Sequence, residues 1–208
     1  MKLQVNNIKI ASWKKKFIDG WSFSEEIAGN LAVCGLDNNT RRLVLMCLAG
    51  CLRPNGGSVY IEGKNIYQNL DWYKKMVGIG EIKKINELYN ELSVWENIKM
   101  ICQVKNEVFS EEKWLLILSQ LGIERYRDTL VGDCDLLVRS LVGVICALIG
   151  DPKIIFLDQP VNDLSIKDKE KFWMIFRQIY DKKLVIFTTN DEKEIEWMGA
   201  KIIDLNKK

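Results

Sequence analysis

The stretch CGLDNNTRRL, Cys34 to Leu43, joins a strand-like apolar run, LAVCG, to a helical apolar run, LVLMCLAGC. A glycine at such a junction, here Gly35, lets successive backbone amides converge on an anion at the positive end of a helix, which is the chemistry of phosphate binding. In the pattern GxxxxGK[ST], the lysine reaches the outer phosphates and the hydroxyl holds magnesium. Counted from Gly35, Thr40 stands at the second glycine, Arg41 at the lysine and Arg42 at the hydroxyl residue. Left-handed backbone at a residue with Cβ costs roughly 1–2 kcal/mol, poorly tolerated by β-branched Thr40, so the loop is expected to have changed shape. A cation about 4 Å from a divalent metal would cost on the order of 8 kcal/mol at an effective dielectric of about 20, so Arg42 and magnesium are not expected to share the site. Two readings of the arginine pair stay open. Both point to solvent at a helix start, or they hold a phosphate or other anion, such as ATP, without magnesium.

The chain contains no histidine, which removes the commonest general base and the commonest zinc ligand. Its six cysteines, Cys34, Cys47, Cys51, Cys102, Cys134 and Cys146, lie in or beside apolar stretches and form no CxxC pair, so they read as buried reduced thiols. No metal is expected. With 208 residues, 48% hydrophobic and 28% charged, the chain can build one globular domain with a large core. A net charge of +2 and dispersed lysines argue against a nucleic-acid partner or an anionic membrane; the densest run, Lys14 to Lys16, reads as a solvated loop. The N-terminus lacks the apolar core of a signal peptide, and apolar runs fall short of the roughly 18 residues of a membrane span, so a cytosolic chain is expected.

Behind these residues stand alternating elements. LQVNNIKI, LAVCG, SVYIEG, KMVGIG, KIIFLD, KLVIFTT and KIIDL read as strands, the last three as buried parallel strands of an α/β sheet. Leu88 to Gly143 turns helical: SVWENIKMI opens on a capping box of Ser93 and Glu96, and SEEKWLLILSQLG is capped by Ser110 and closed by Gly122. DKEKFWMIFRQIY and DEKEIEWMG are late helices with core-facing aromatics.

Three long stretches carry a resemblance. LAGCLRPNGGSVYIEGKNI, LYNELSVWENI and ALIGDPKIIFLDQPVNDLS, together with VIFTTNDEKEIE, resemble the ATP-binding subunits of ATP-binding cassette (ABC) transporters from Gly35 to Glu196. The resemblance implies a P-loop NTPase-like α/β core over residues 1–208, with a mixed and parallel sheet and an inserted α-helical subdomain near 88–143 that contacts a permease. It also sets the motifs in register. Asn38 and Thr40 fall at loop glycines, Arg41 at the lysine, Arg42 and Leu43 at the hydroxyl pair, and Asp158 at the magnesium-binding carboxylate, the residue to hold a metal if any does, though an aspartate at a strand end can equally cap the next turn. Gln159 takes the place of the glutamate that polarises water; an amide cannot accept that proton, and loss of a general base typically costs about 10² to 10⁴ in rate. Cys134 to Val138 occupy the signature motif, where Asp135 sets a negative charge and Leu136 and Leu137 block close backbone approach; the basic stretch beyond shrinks to Arg139 and Ser140. Asn190 stands at the switch histidine. The Q-loop should fall within Val77 to Leu88, with Glu81 nearest. Trp13 lies near the aromatic that stacks adenine, though packing against the sheet is the alternative.

Fold-forming features are thus kept and chemistry-bearing ones lost, on both faces of what would be a composite dimer site. The expected protein is a catalytically inactive subunit that docks on a membrane permease or an active ABC ATPase, at the membrane through that partner, with its docking surface sought around Tyr89, Trp95 and Trp114, core packing being the alternative for Trp95 and Trp114. A dimer is compatible with this. A slow or ATP-gated ATPase and a metal-independent anion-binding protein are the rival readings.

Overall fold

The computed structural model describes residues 1–82, 85–180 and 183–207. Strands β1 (Lys2–Ala11) and β2 (Lys16–Glu26) form an antiparallel hairpin, followed by β3 (Leu31–Cys34), α1 (Asn38–Leu48), β4 (Gly56–Ile61), β5 (Lys64–Asn65), α2 (Leu70–Lys74) and β6 (Val77–Ile79). The helical stretch holds α3 (Val94–Val104), α4 (Glu111–Gln120) and α5 (Leu136–Leu148). Then β7 (Ile154–Asp158), α6 (Ile166–Phe176), β8 (Leu184–Thr188), α7 (Glu192–Met198) and β9 (Lys201–Asp204) alternate. Among the described residues one sheet runs β2-β1-β4-β5 and the other β6-β7-β8-β3-β9, the second with parallel neighbours throughout.

Period-two side-chain alternation sorts the parallel sheet between two cores. Ile154, Phe156, Ile186, Leu31 and Val33 face α1 and the antiparallel sheet, while Ile155, Leu157, Val185, Phe187 and Ala32 face the helices on the other side. There α6 places Phe172, Trp173 and Phe176 in contact, with Trp173 5.0 Å from the Phe187 ring. Each such buried side chain contributes about 1.5–3 kcal/mol. The helix starts follow their caps: Ser93 and Glu96 form a reciprocal capping box on α3, and Ser110 accepts from the Lys113 amide on α4.

Several expectations change. The strand β2 escapes a period-two reading because register shifts in its pairing with β1 space the buried Ile18 and Trp21 three apart. The strand β9 is parallel but lies at the sheet edge, with Ile202 51% exposed, so it is not buried as β7 and β8 are. Cys51 is exposed, outside the set of buried thiols. Trp114 is core at 2% exposure and Trp95 is half-buried under the Arg127 guanidinium, which leaves Tyr89 as the exposed member of that trio. The Q-loop stretch includes residues 83 and 84, which lie outside the described residues.

Candidate functional site

The loops that follow β3, β7 and β8 meet at the carboxyl ends of these neighbouring parallel strands, where open α/β sheets place ligand sites. Register fixes the meeting: Val33 pairs with Thr188, and Asp158 pairs with Thr188. Gly35, Gln159 and Asn190 leave the sheet within one neighbourhood, and Asn190 Oδ1 accepts from the Gly35 amide at 3.0 Å.

Gly35 has a structural reason to be glycine. Its φ is +82°, and a Cβ there would lie 2.5 Å from Asn206 Nδ2 and 2.8 Å from Asp204 Oδ1. Leu36 follows at φ +51°, so the left-handed strain falls on Leu36 rather than on Asn38 or Thr40. The helix α1 begins early, at Asn38, and Asp37 is its N-cap: its carboxylate accepts the Thr40 amide at 3.0 Å and the Thr40 hydroxyl at 2.7 Å. The expected change of shape is therefore a helical turn in place of a loop. An anion already sits at the positive helix end, and it is the chain's own.

Those Thr40 bonds hold the Asp37 carboxyl below its ordinary range. A carboxyl lowered by folding adds stability that is full above its unfolded value and lost as pH falls through its folded one. Asp37→Ala is expected to cost about 1 kcal/mol at neutral pH. Because the group is largely exposed, the gap should be modest and should shrink below about pH 4, which thermal melts of both proteins across that range would check.

Arg41 does not point to solvent. It is 2% exposed, its Nη1 donates to the carbonyls of Gly35 at 3.1 Å and Leu36 at 2.7 Å, and its Nη2 donates to Asn38 Oδ1, while Nε is buried without a partner. These acceptors are neutral, and the Cys34 thiol nearby is pushed up to about 11 by burial, so it stays protonated. Arg41 thus folds back onto the carbonyls of its own loop.

Arg42 does not point to solvent either. Its Nε lies 2.5 Å from Asp158 Oδ2, with the arginine side chain 24% exposed and the aspartate side chain 1%. Asp158 Oδ1 also accepts from the Thr188 hydroxyl at 2.8 Å, and Thr188 Oγ1 accepts the Gln159 amide at 3.0 Å. Gln159 itself takes a φ of +48°. The strand-end carboxylate that a metal would need is engaged by a guanidinium and a hydroxyl.

The signature-position residues serve a helix start. Asp135 caps α5 by accepting the Val138 amide at 2.8 Å, Leu136 is 53% exposed, and Leu137 is half-buried against the core. Arg139 donates to Glu81 at 3.1 Å and to Asn90 at 2.7 Å, joining the segment after β6 to α5. On the switch side, Lys169 lies 2.8 Å from the buried Glu194 and 3.2 Å from Asp191. Trp13 does not pack against the sheet: it is 89% exposed in the β1–β2 turn, with the Lys14 ammonium 4.3 Å from its ring centroid.

The Arg42–Asp158 pair spans 116 positions and left no local trace in the sequence. The Asp37 cap was findable, since an aspartate before an apolar helical run is a helix-start signal. Chemically, an anion entering the loop would displace the Asp37 carboxylate, and a cation would displace Arg42.

The sequence profile described as "ABC transporter" matches residues 43–162. The chain is 23% identical over 188 residues to ABC transporter A family member 1 of Dictyostelium discoideum, covering 89% of this chain and 21% of that protein. It is 22% identical to the uncharacterized ABC transporter ATP-binding protein YybJ of Bacillus subtilis (strain 168), covering 92% and 86%. The fold matches a bacterial Atm1-family ABC exporter with ATP bound at a TM-score of 0.80 and 16% identity, over 98% of this chain and 37% of that one. An ATP-binding subunit of an ABC transporter matches at 0.75, also 16% identical, over 98% and 85%. The chain spans about a fifth of the length of the Dictyostelium relatives. No helix among the described residues is long and apolar enough to cross a membrane. With its P-loop-type parallel sheet, its strand-end site and a profile match over more than half its length, the chain belongs to the ABC transporter family as an ATP-binding-domain protein.

Proposed function

We propose that this chain is a catalytically inactive ABC ATP-binding-subunit-like protein that serves as scaffold or regulator of a membrane ABC transporter complex, held at the cytoplasmic face by a permease or an active ABC ATPase. The observation that carries the reading is the Arg42–Asp158 pair at 2.5 Å, which spends the metal-binding carboxylate inside the protein. It is supported by Asp37 at the helix start, by Arg41 folded into its own loop and by Gln159 in place of a proton acceptor. A composite site joins one subunit's loop to another's signature, and this chain has altered both, so it supplies neither half.

Purified full-length chain should show no Mg-ATP turnover above a denatured control, and affinity capture from native membranes should recover a permease or an ABC ATPase subunit. Turnover that Asp158→Ala abolishes would establish the slow or ATP-gated ATPase instead. Recovery of neither kind of subunit under any condition would remove the scaffold role.

A further inference from the structure

The parallel sheet has a second end. At the amino ends of β3, β7 and β8, opposite the loops described above, a cleft of about 710 Å³ opens between residues 27–30, residues 151–153 and the stretch that holds Tyr180, Lys183 and Leu184. Ile27, Pro152 and Leu184 give it apolar walls. At Gly29 an added Cβ would meet nothing within 4 Å, so the space is open there.

The polar part of the wall consists of donors. Tyr180 Oη accepts from Asn30 Nδ2 at 3.1 Å, while its own proton has no acceptor among the described residues. Asn30, 8% exposed, is otherwise spent: it donates to the Met198 carbonyl at 2.9 Å, and its Oδ1 accepts the Val185 amide at 3.3 Å. With its ring stacked on Phe176 at 5.0 Å, the Tyr180 hydroxyl is held in place with a proton to give. Lys183 Nζ donates to Asp151 Oδ1 at 2.5 Å and to the Pro152 carbonyl at 3.0 Å, which leaves one of its three protons. The exposed Lys153 ammonium has no partner among the described residues. The carboxylate on this wall, that of Asp151, is 84% exposed and taken up by Lys183.

We propose that this cleft binds a small amphipathic monoanion, an aryl or branched-alkyl carboxylate, with its apolar body on Ile27, Pro152 and Leu184 and its carboxylate on Lys153 and the Tyr180 hydroxyl. A mainly apolar cleft with a few fixed polar groups is the architecture of small-molecule sites. Donors that lack acceptors select an acceptor, and an ammonium makes the bond charge-assisted when that acceptor is an anion. Two ammonium groups against one carboxylate leave a single positive charge, which matches one negative charge and not a polyphosphate. The amides of Ile154, Leu184, Val185 and Lys201 at this end all donate within the protein, so no backbone cradle for phosphate exists among them. A divalent cation would meet one carboxylate, already paired. The inference stands apart from the inactive-site reading, since it concerns the other end of the sheet.

The test is calorimetric titration of the full chain with 2-naphthoate and with 4-methylpentanoate, and with the amide of each as its neutral counterpart. At least one acid should bind one to one with a dissociation constant below about 1 mM, and its amide at least about tenfold more weakly. Lys153→Gln should weaken the acid at least about tenfold, and Gly29→Phe, which fills the open space, should abolish binding. Neither substitution removes a side-chain contact, so both proteins should melt with the parent. Saturating Mg-ATP should leave the affinity for the acid unchanged. Failure of both acids to bind overturns the inference, as does equal binding of the amide. Binding that survives intact in a folded Gly29→Phe protein, or that Mg-ATP displaces, places the acid elsewhere and overturns it too. Each of these results leaves the question of ATP turnover to its own assay.

Discussion

Asp158→Ala is expected to destabilise the protein by several kcal/mol. Removing one partner of a buried ion pair typically costs about 3–5 kcal/mol because the other charge is left without compensation. Arg42 retains 24% exposure, which places the cost toward the lower end, and Thr188 loses the acceptor for its hydroxyl in the same step. For a chain of this size, about 3 kcal/mol corresponds to a fall in Tm of roughly 6–12 °C. Replacing both partners with apolar residues of similar volume, Arg42→Met with Asp158→Leu, should recover most of it. An open metal site predicts the opposite sign, since an uncompensated buried carboxylate is costly and its removal is stabilising. Thermal melts of the three proteins without metal decide the matter, and an Asp158→Ala protein that melts at or above the parent would contradict the structural role assigned to the pair.

The second large effect is a gain. Asn38→Gly, Thr40→Gly, Arg41→Lys, Arg42→Ser and Leu43→Thr together remove the early helical turn, the guanidinium inside the loop and the one on Asp158. Mg-ATP affinity should rise by at least about a hundredfold over the parent, some 2.8 kcal/mol. Arg42→Ser is the decisive member, because it alone frees the carboxylate. Turnover should stay low even so, since Gln159 cannot accept the proton of the attacking water. Equilibrium binding of a fluorescent nucleotide with magnesium reads the change, and equal affinity in parent and reverted chains would show that the parent loop was never closed.

Most of the scaffold could be read from the residues. Apolar β7 and β8 lie buried between helices as their composition demands, and the capping box of Ser93 and Glu96 closes as its spacing requires. These signals are local, set by alternation or by the four orphan amides of a helix start. What failed was non-local. Bulges broke the alternation of β2, and the exposure of Trp13 depends on how far its turn projects from the sheet. At the site, sequence arguments excluded magnesium beside Arg42 from charge alone but left the arginines either in solvent or on a bound anion, and neither reading turned them onto the chain's own acceptors. The structure turns them inward because each finds acceptors there: loop carbonyls for Arg41 and the Asp158 carboxylate for Arg42.

The most direct measurement is calorimetric titration of the full chain with ATP, once with magnesium and once with a chelator. If the chain's own side chains hold the places of metal and phosphate, magnesium adds nothing to the affinity, and binding is either absent or equally weak in both titrations. Tight binding that requires magnesium and vanishes in a folded Asp158→Asn protein would contradict it.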